Sequence, residues 1–343
     1  MALHNLLIII TIFLSLFVFF KKLKLLRDDI SFSEHKMIGA ENKSPIVLGG
    51  IYILIVFFIL SENSSIFLKI SAVLITLIGF MSDKNILPNP KIRLFLQIMI
   101  LLGLSYFEGL KINDLRLDFL NLLLMNNFFN LFFTVFCLAI LINGSNFLDG
   151  LNGLVSGYYL IVLLSLLLLW NNNPNIINIE KNFLILILFS LLIFFIFNIF
   201  GQVYLGDSGT YLVSLLIGVY LVKFNMNNDF ISPYYIAVLL WYPAFENFFS
   251  ISRRISKKNN VSSADNLHLH HLIFLFLKSK SLFFKNFLNP SCTVFLLLIN
   301  IPSMIIASLY ASKSNIMLVI ILFNVSLYLL TYYFFSKNFI DKK

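Results

Sequence analysis

Two cysteines in 343 residues leave no room for a disulfide framework, and both, Cys137 and Cys292, lie in apolar runs that offer a metal no other ligands. Charge is scarce too: 12% of residues are Asp, Glu, Lys or Arg, against 59% that are apolar. A chain of that balance cannot hide its apolar surface in a single water-soluble core. No GK[ST] triplet marks a Walker phosphate loop, no internal repeat is visible, and no long disordered linker interrupts the chain. These absences exclude a disulfide scaffold, a repeat array and a P-loop enzyme.

What is present is helix of membrane length. A spanning helix needs roughly 20 apolar residues, fewer when its ends snorkel, and eleven runs qualify: about 3–20, 46–61, 66–82, 93–106, 128–143, 154–170, 182–199, 208–223, 233–250, 292–311 and 316–336. The expected fold is all-α: a polytopic integral membrane protein with eleven transmembrane helices, a single domain over 1–343 and a C-terminal two-helix segment at 292–336. The first run ends in KKLK with no small-residue cleavage site behind it and reads as an uncleaved span. The 39 phenylalanines read as lipid-facing and packing residues.

Orientation follows from Lys and Arg, which are retained on the cytoplasmic side. Loops 21–45, 82–93, 143–153, 198–207 and 251–291, with the C-terminal tail, hold 19 of the 25 Lys and Arg. That set is expected to be cytoplasmic, with the N-terminus outside, the C-terminus inside and the chain in the cell inner membrane. The +9 formal charge is then a positive-inside signal and does not point to nucleic acid.

Every unusual polar stretch falls in the same set: KSPIVLGG (43–50), SDKNILPNPKIRLFLQ (82–97), NGSNFLDGLNGLVSG (143–157), NIFGQVYLGDSGT (198–210) and RRISKKNNVSSADNLHLHH (253–271). Asn143, Asn146, Asp149 and Asn152 recur at every third position and drift about 60° per step on an ideal helix. With the glycines between them they read as a loop at a helix end. In GDSGT, Asp207 and Ser208 precede a helix, where an N-cap is the plain reading. His268, His270 and His271 lack the Cys or paired carboxylate of a familiar zinc site. Taken together, the carboxylates of Asp83, Asp149 and Asp207, the basic Lys91, Arg93, Arg253 and Arg254, and the histidines suggest a site for a divalent metal and phosphate. Mg²⁺ commonly takes one or two carboxylates with substrate phosphates, and Arg and backbone N–H groups would supply the remaining positive charge.

The order of these clusters resembles the polyprenyl-phosphate N-acetylhexosamine-1-phosphate transferases. GFMSDKNILPNPKIRLFLQ is similar to the family's G-F-x-D-D followed by K-x-R-x-x-x-Q, NGSNFLDGLNGL to N-x-x-N-x-x-D-G-x-D-G-L, and VYLGDSGT to V-F-M-G-D-x-G-S. DNLHLHHL resembles the H-x-H-H of the GlcNAc-transferase branch more than the H-H-H of the MurNAc-pentapeptide branch. The resemblance runs in order from about 43 to 272. It implies a Mg²⁺-dependent enzyme, with Mn²⁺ as an alternative ion, that transfers a sugar-1-phosphate from a UDP-sugar to polyprenyl phosphate in the membrane and releases UMP. A homodimer is compatible with it.

Carried over by position, the resemblance makes Asp83, Asp149 and Asp207 catalytic, with Asp207 and Asp83 as metal ligands. Substrate contacts fall on Lys43, Arg93, Asn146, Asn152, Asn198, Tyr204, Arg253, Arg254, His268, His270 and His271. Tyr204 occupies the aromatic position suited to stacking on uracil. Two departures stand out: Ser82 replaces the first Asp of the D-D pair, and Asn152 the second Asp of D-G-x-D-G. Catalysis need not fail for that reason, because a phosphate monoester has its second pKa near ~6 and is already a nucleophile near neutrality. A noncatalytic lipid or nucleotide binder is the alternative. A secondary transporter fits less well, since its polar site belongs near the bilayer midplane.

Overall fold

In the computed structural model, residues 3–23, 45–177, 181–256, 267–280 and 285–339 are described. They form fourteen α-helices and one pair of two-residue strands: α1 (Leu3–Leu23), β1 (Ile46–Val47), α2 (Gly49–Leu60), α3 (Ile66–Asp83), α4 (Pro90–Phe107), α5 (Asp118–Leu124), α6 (Asn127–Leu148), α7 (Leu154–Asn172), α8 (Lys181–Asn198), β2 (Val203–Tyr204), α9 (Gly206–Met226), α10 (Pro233–Leu239), α11 (Trp241–Ser256), α12 (Leu269–Ser279), α13 (Lys285–Leu309) and α14 (Ser314–Phe339). Lys43 lies outside the described residues. The protein is an all-α polytopic membrane protein, and each of the eleven apolar runs contains helix, the run 46–61 from Gly49 onward after β1. Eight helices, α1, α3, α4, α6, α7, α9, α13 and α14, are long and apolar enough to cross a bilayer.

The differences from the sequence reading have local causes. The run 233–250 is two helices that break at Leu240, because Pro243 in the first turn of α11 has no N–H to continue the ladder. The run 128–143 continues as helix to Leu148, so Asn143 and Asn146 belong to α6 and only Asp149 and Asn152 to the turn beyond it. Gly144 is tolerated in that helix because α11 crosses there: a Cβ on Gly144 would overlap the Pro243 carbonyl.

α9 is the centre of the bundle. Its residues from Asp207 to Leu221 are all buried, and it packs against α2, α3 and α6. Helices in lipid gain their contact from close backbone approach at small residues. Here Gly79 of α3 meets Ser208 of α9 so closely that a Cβ would overlap Ser208's backbone. The outer surface is apolar, with Phe19, Phe95, Phe132 and Phe323 among its exposed rings, as the lipid-facing reading of phenylalanine expects. The C-terminal helices are not an appendage: α13 packs along α7, and α12 lies against both α13 and α14.

Candidate active site

The polar stretches meet at one end of the bundle. β1 pairs with β2 in parallel, Ile46 opposite Val203 and Val47 opposite Tyr204, which lays the start of the second apolar run beside the LGDSGT turn. Tyr204 is half-buried there.

α9 starts on Gly206, whose φ of +69° is left-handed, and the residue at its N-cap, Leu205, supplies no side-chain bond. A side chain on Gly206 would be strained and would crowd the Asp83 carboxylate as well, its Cβ lying 2.8 Å from Asp83 Oδ2. The cap comes from another helix. At the end of α3, Asp83 Oδ1 accepts from the Asp207 N–H at 2.7 Å, while Oδ2 accepts from the Ser208 N–H at 3.1 Å and from Ser208 Oγ at 2.9 Å. A carboxylate at this point satisfies orphan N–H groups and the positive end of the helix dipole. This corrects the N-cap expectation. Neither Asp207 nor Ser208 is the N-cap, because the left-handed glycine begins the helix ahead of them. The N–H groups of Asp207 and Ser208 are both taken up by Asp83.

Asp207 is 2% exposed. Its Oδ2 accepts from Ser82 Oγ at 2.5 Å, from Arg93 Nη1 at 3.1 Å and from Tyr211 Oη at 3.5 Å. Arg93, on the first turn of α4, also donates to Ser82 Oγ. Ser82 therefore stands between Asp207 and Arg93. An aspartate there would set a second negative charge against a buried carboxylate; serine donates a hydrogen bond without adding charge. The sequence reading noted Ser82 as a departure but did not place it in the site.

The turn after α6 is tied to β2 and to α13. Asp149 ends α6 and is half-buried, as is Asn146. Asn152 is held through its backbone: its N–H donates to Asn289 Oδ1 at 2.9 Å and its carbonyl accepts from Thr293 Oγ1 at 2.8 Å, both on α13. Asn198 is a buried strut. Its Oδ1 accepts from the Gly153 N–H at 2.9 Å and from Ser156 Oγ at 3.0 Å, and its Nδ2 donates to the Val203 carbonyl at 2.8 Å. It joins the 149–153 turn to β2.

The histidines close over that turn. Gly150 lies under the Nε2 atoms of His270 and His271, at distances that leave no room for a side chain. His270 is fully buried, and neither of its ring nitrogens has a hydrogen-bond partner among the described residues. Burial, reinforced by His271 and His268, holds its pKa well below the ordinary imidazole range, so the ring is neutral. A buried polar ring left unsatisfied costs about 1–3 kcal/mol, a cost that a ligand's hydrogen bonds would offset.

Arg253 and Arg254 point to different places. Arg253 Nη1 donates to the Leu267 carbonyl and to Tyr332 Oη at 2.9 Å, and its guanidinium lies over the Phe249 and Tyr332 rings, so it braces the histidine segment. Arg254 is buried, with its guanidinium 5.8 Å from the centre of the Phe147 ring, and the His268 ring lies 5.3 Å from the same phenylalanine. Phe147 was missed from sequence, although it is the lone aromatic in NGSNFLDG. Among the described residues no three His, Cys, Asp or Glu side chains converge as a metal cage. Asp83 and Asp207 lie at adjoining helix ends, Asp83 Oδ1 accepting from the Asp207 N–H, and carboxylate oxygens are the donor type that Mg²⁺ takes.

Residues 65–225 match the family described as glycosyl transferase family 4. The chain is 24% identical over 228 residues to a probable undecaprenyl-phosphate N-acetylglucosaminyl 1-phosphate transferase of Bacillus subtilis, covering 64% of this chain and 60% of that one. It is 27% identical over 219 residues to a phospho-N-acetylmuramoyl-pentapeptide-transferase of Dictyoglomus thermophilum, covering 58% and 68%. Over a shorter stretch of 133 residues it is 31% identical to an undecaprenyl-phosphate alpha-N-acetylglucosaminyl 1-phosphate transferase of Thermotoga maritima, covering 38% and 39%.

Proposed function

We propose that this chain, which carries a glycosyl transferase family 4 domain over residues 65–225, transfers an N-acetylhexosamine-1-phosphate from a UDP-sugar to polyprenyl phosphate and releases UMP. The observation that carries the reading is the arrangement at one end of α9. A buried aspartate is held by an arginine and a serine, a second aspartate from another helix caps the start of α9, and two histidines lie over the glycine of the turn after α6. The similar proteins named for undecaprenyl phosphate and N-acetylglucosamine support the substrate class. The product would begin a lipid-linked glycan of the cell envelope.

In this reading an oxygen of the lipid phosphate attacks the sugar-bearing phosphorus, the bond to the bridging oxygen of the diphosphate breaks, and UMP leaves. Phosphoryl transfer of this kind needs positioning and charge neutralisation more than covalent help from the protein. Arg93 supplies fixed positive charge beside Asp207, and Arg254 with His268, His270 and His271 faces the diphosphate and sugar. Asn146, Asp149 and Asn152 shape the turn on the nucleotide side, where Tyr204 offers a ring to uracil. Asp207 and Asp83 would hold Mg²⁺, or Mn²⁺ in its place. Such an ion, when bound, supplies charge that offsets the leaving UMP. A screen of UDP-sugars with purified protein, polyprenyl phosphate and Mg²⁺ tests the reading, and absence of UMP release with every sugar would overturn it in favour of a noncatalytic binder.

Two further results are expected. Ser82→Ala should retain activity within about tenfold, because one hydroxyl bond of roughly 1 kcal/mol is lost while Arg93 still reaches Asp207 directly at 3.1 Å. The acidic limb of its kcat/KM profile should stay near ~6, where protonation of the lipid phosphate removes the nucleophile. A loss above a thousandfold would make the hydroxyl a catalytic group. The second concerns orientation, with the site at the cytoplasmic face of the inner membrane, the N-terminus outside and the C-terminus inside. With Cys137 and Cys292 replaced, a cysteine at the exposed Asn172 should react with an impermeant reagent in intact cells, and one at the exposed Lys84 should not. Labelling at residue 84 from outside would invert the topology.

A further inference from the structure

Glu246 of α11 is 0% exposed in an apolar, aromatic setting. Its Oε1 lies 2.8 Å from His268 Nδ1, and its Oε2 accepts from Tyr328 Oη of α14 at 2.7 Å. Ser250, one turn along α11, places its Oγ 3.1 Å from the same Nδ1. Around Tyr328 stand Phe245, Phe249, Tyr242 and Tyr332, with ring centres 5.0 to 6.3 Å away. A carboxyl group buried in such a setting is costly unless its hydrogen bonds are satisfied, so the cluster asks for a role beyond stability. All three groups of the chain lie beyond the family match at 65–225.

An ionised Glu246 can only accept, and His268 Nδ1 would then carry the hydrogen and donate it to Oε1. That fixes the tautomer and prevents a ring flip, leaving Nε2 at the far edge of the ring. The ring lies against Phe147 and stacks on His270 at 5.5 Å, and Arg254 covers the same phenylalanine. We propose that Glu246 is a positioning residue which, held in turn by Tyr328, sets the tautomer and orientation in which His268 meets the sugar donor. The activity part of this proposal rests on the transferase reading; the tautomer part does not.

The test uses the full-length protein with ¹⁵N-labelled histidine and steady-state UMP release. There are five histidines, and the His268 signals are identified by their loss in His268→Asn. His268 should be protonated at Nδ1 in the wild type and become a mixture of tautomers in Glu246→Gln. That substitution should lower kcat about 10- to 100-fold, by analogy with the loss of a carboxylate that orients a metal-binding histidine, with KM for the UDP-sugar little changed. Glu246→Asp should recover part of the loss. In a His268→Asn background, Glu246→Gln should cost less than about twofold more, because residues acting through one another are not additive. A wild-type His268 protonated at Nε2 would overturn the proposal, as would a Glu246→Gln loss of equal size in both backgrounds. The wild-type tautomer can be read even if a variant does not fold. An Nδ1-protonated His268 in a protein that releases no UMP would reject the transferase reading and leave the Glu246 assignment standing.

Discussion

Asp207→Asn should reduce UMP release by about a thousandfold or more, equivalent to about 4 kcal/mol of transition-state stabilisation, while leaving the fold intact. The substitution keeps the size of the side chain, and the start of α9 is secured by backbone N–H groups that Asp83 receives, one of them that of residue 207 itself. What is lost is the buried negative charge that Ser82 and Arg93 both address. Thermal melting should therefore stay within a few degrees of the wild type. Mg²⁺-dependent turnover within tenfold of wild type would remove Asp207 from the site's chemistry.

Asp83→Asn should fail differently. The carboxylate accepts three hydrogen bonds through two oxygens. An amide can accept through only one of its two ends, so its NH₂ must face a donor. The cost is about 1–3 kcal/mol of stability for the unsatisfied groups, with a further loss of attraction to the helix dipole. The melting temperature and the UMP rate should fall together, the rate by about a hundredfold or more, since α9 carries Asp207 on its first turn. A protein with normal melting and a selective loss of rate would give Asp83 a purely chemical role. Full activity with unchanged melting would give it neither role.

Much of this architecture was legible because membrane helices announce themselves by length and hydropathy. All eleven apolar runs contain helix, and the described parts of the polar stretches lie at the helix ends of one side of the chain's up-and-down order. Less legible was how each polar residue is used. Asp83 and Asp207 look alike in sequence, yet one caps a helix end and the other is buried against Arg93; only the crossing of α3 and α9 at Gly79 separates the two roles. Asn198 and Arg253 carry the family resemblance but spend their hydrogen bonds on the protein's own backbone and side chains. Glu246 was overlooked for the opposite reason, since it sits in no motif. The available signal was a carboxylate inside the apolar run 233–250, where an ionisable side chain is costly enough to ask for a partner.

The way α13 and α14 reach into the site bears on modularity. Asn289 and Thr293 hold the backbone of Asn152, and Tyr328 and Tyr332 hold Glu246 and Arg253. The stretch 65–225 is thus a unit of sequence similarity but not a unit that can be excised. Cutting the chain ahead of α13, or exchanging its last two helices with those of a relative, would leave Asp83, Arg93 and Asp207 untouched while freeing the turn and the histidine segment. A chimera built at that seam would have to carry matched partners on both sides.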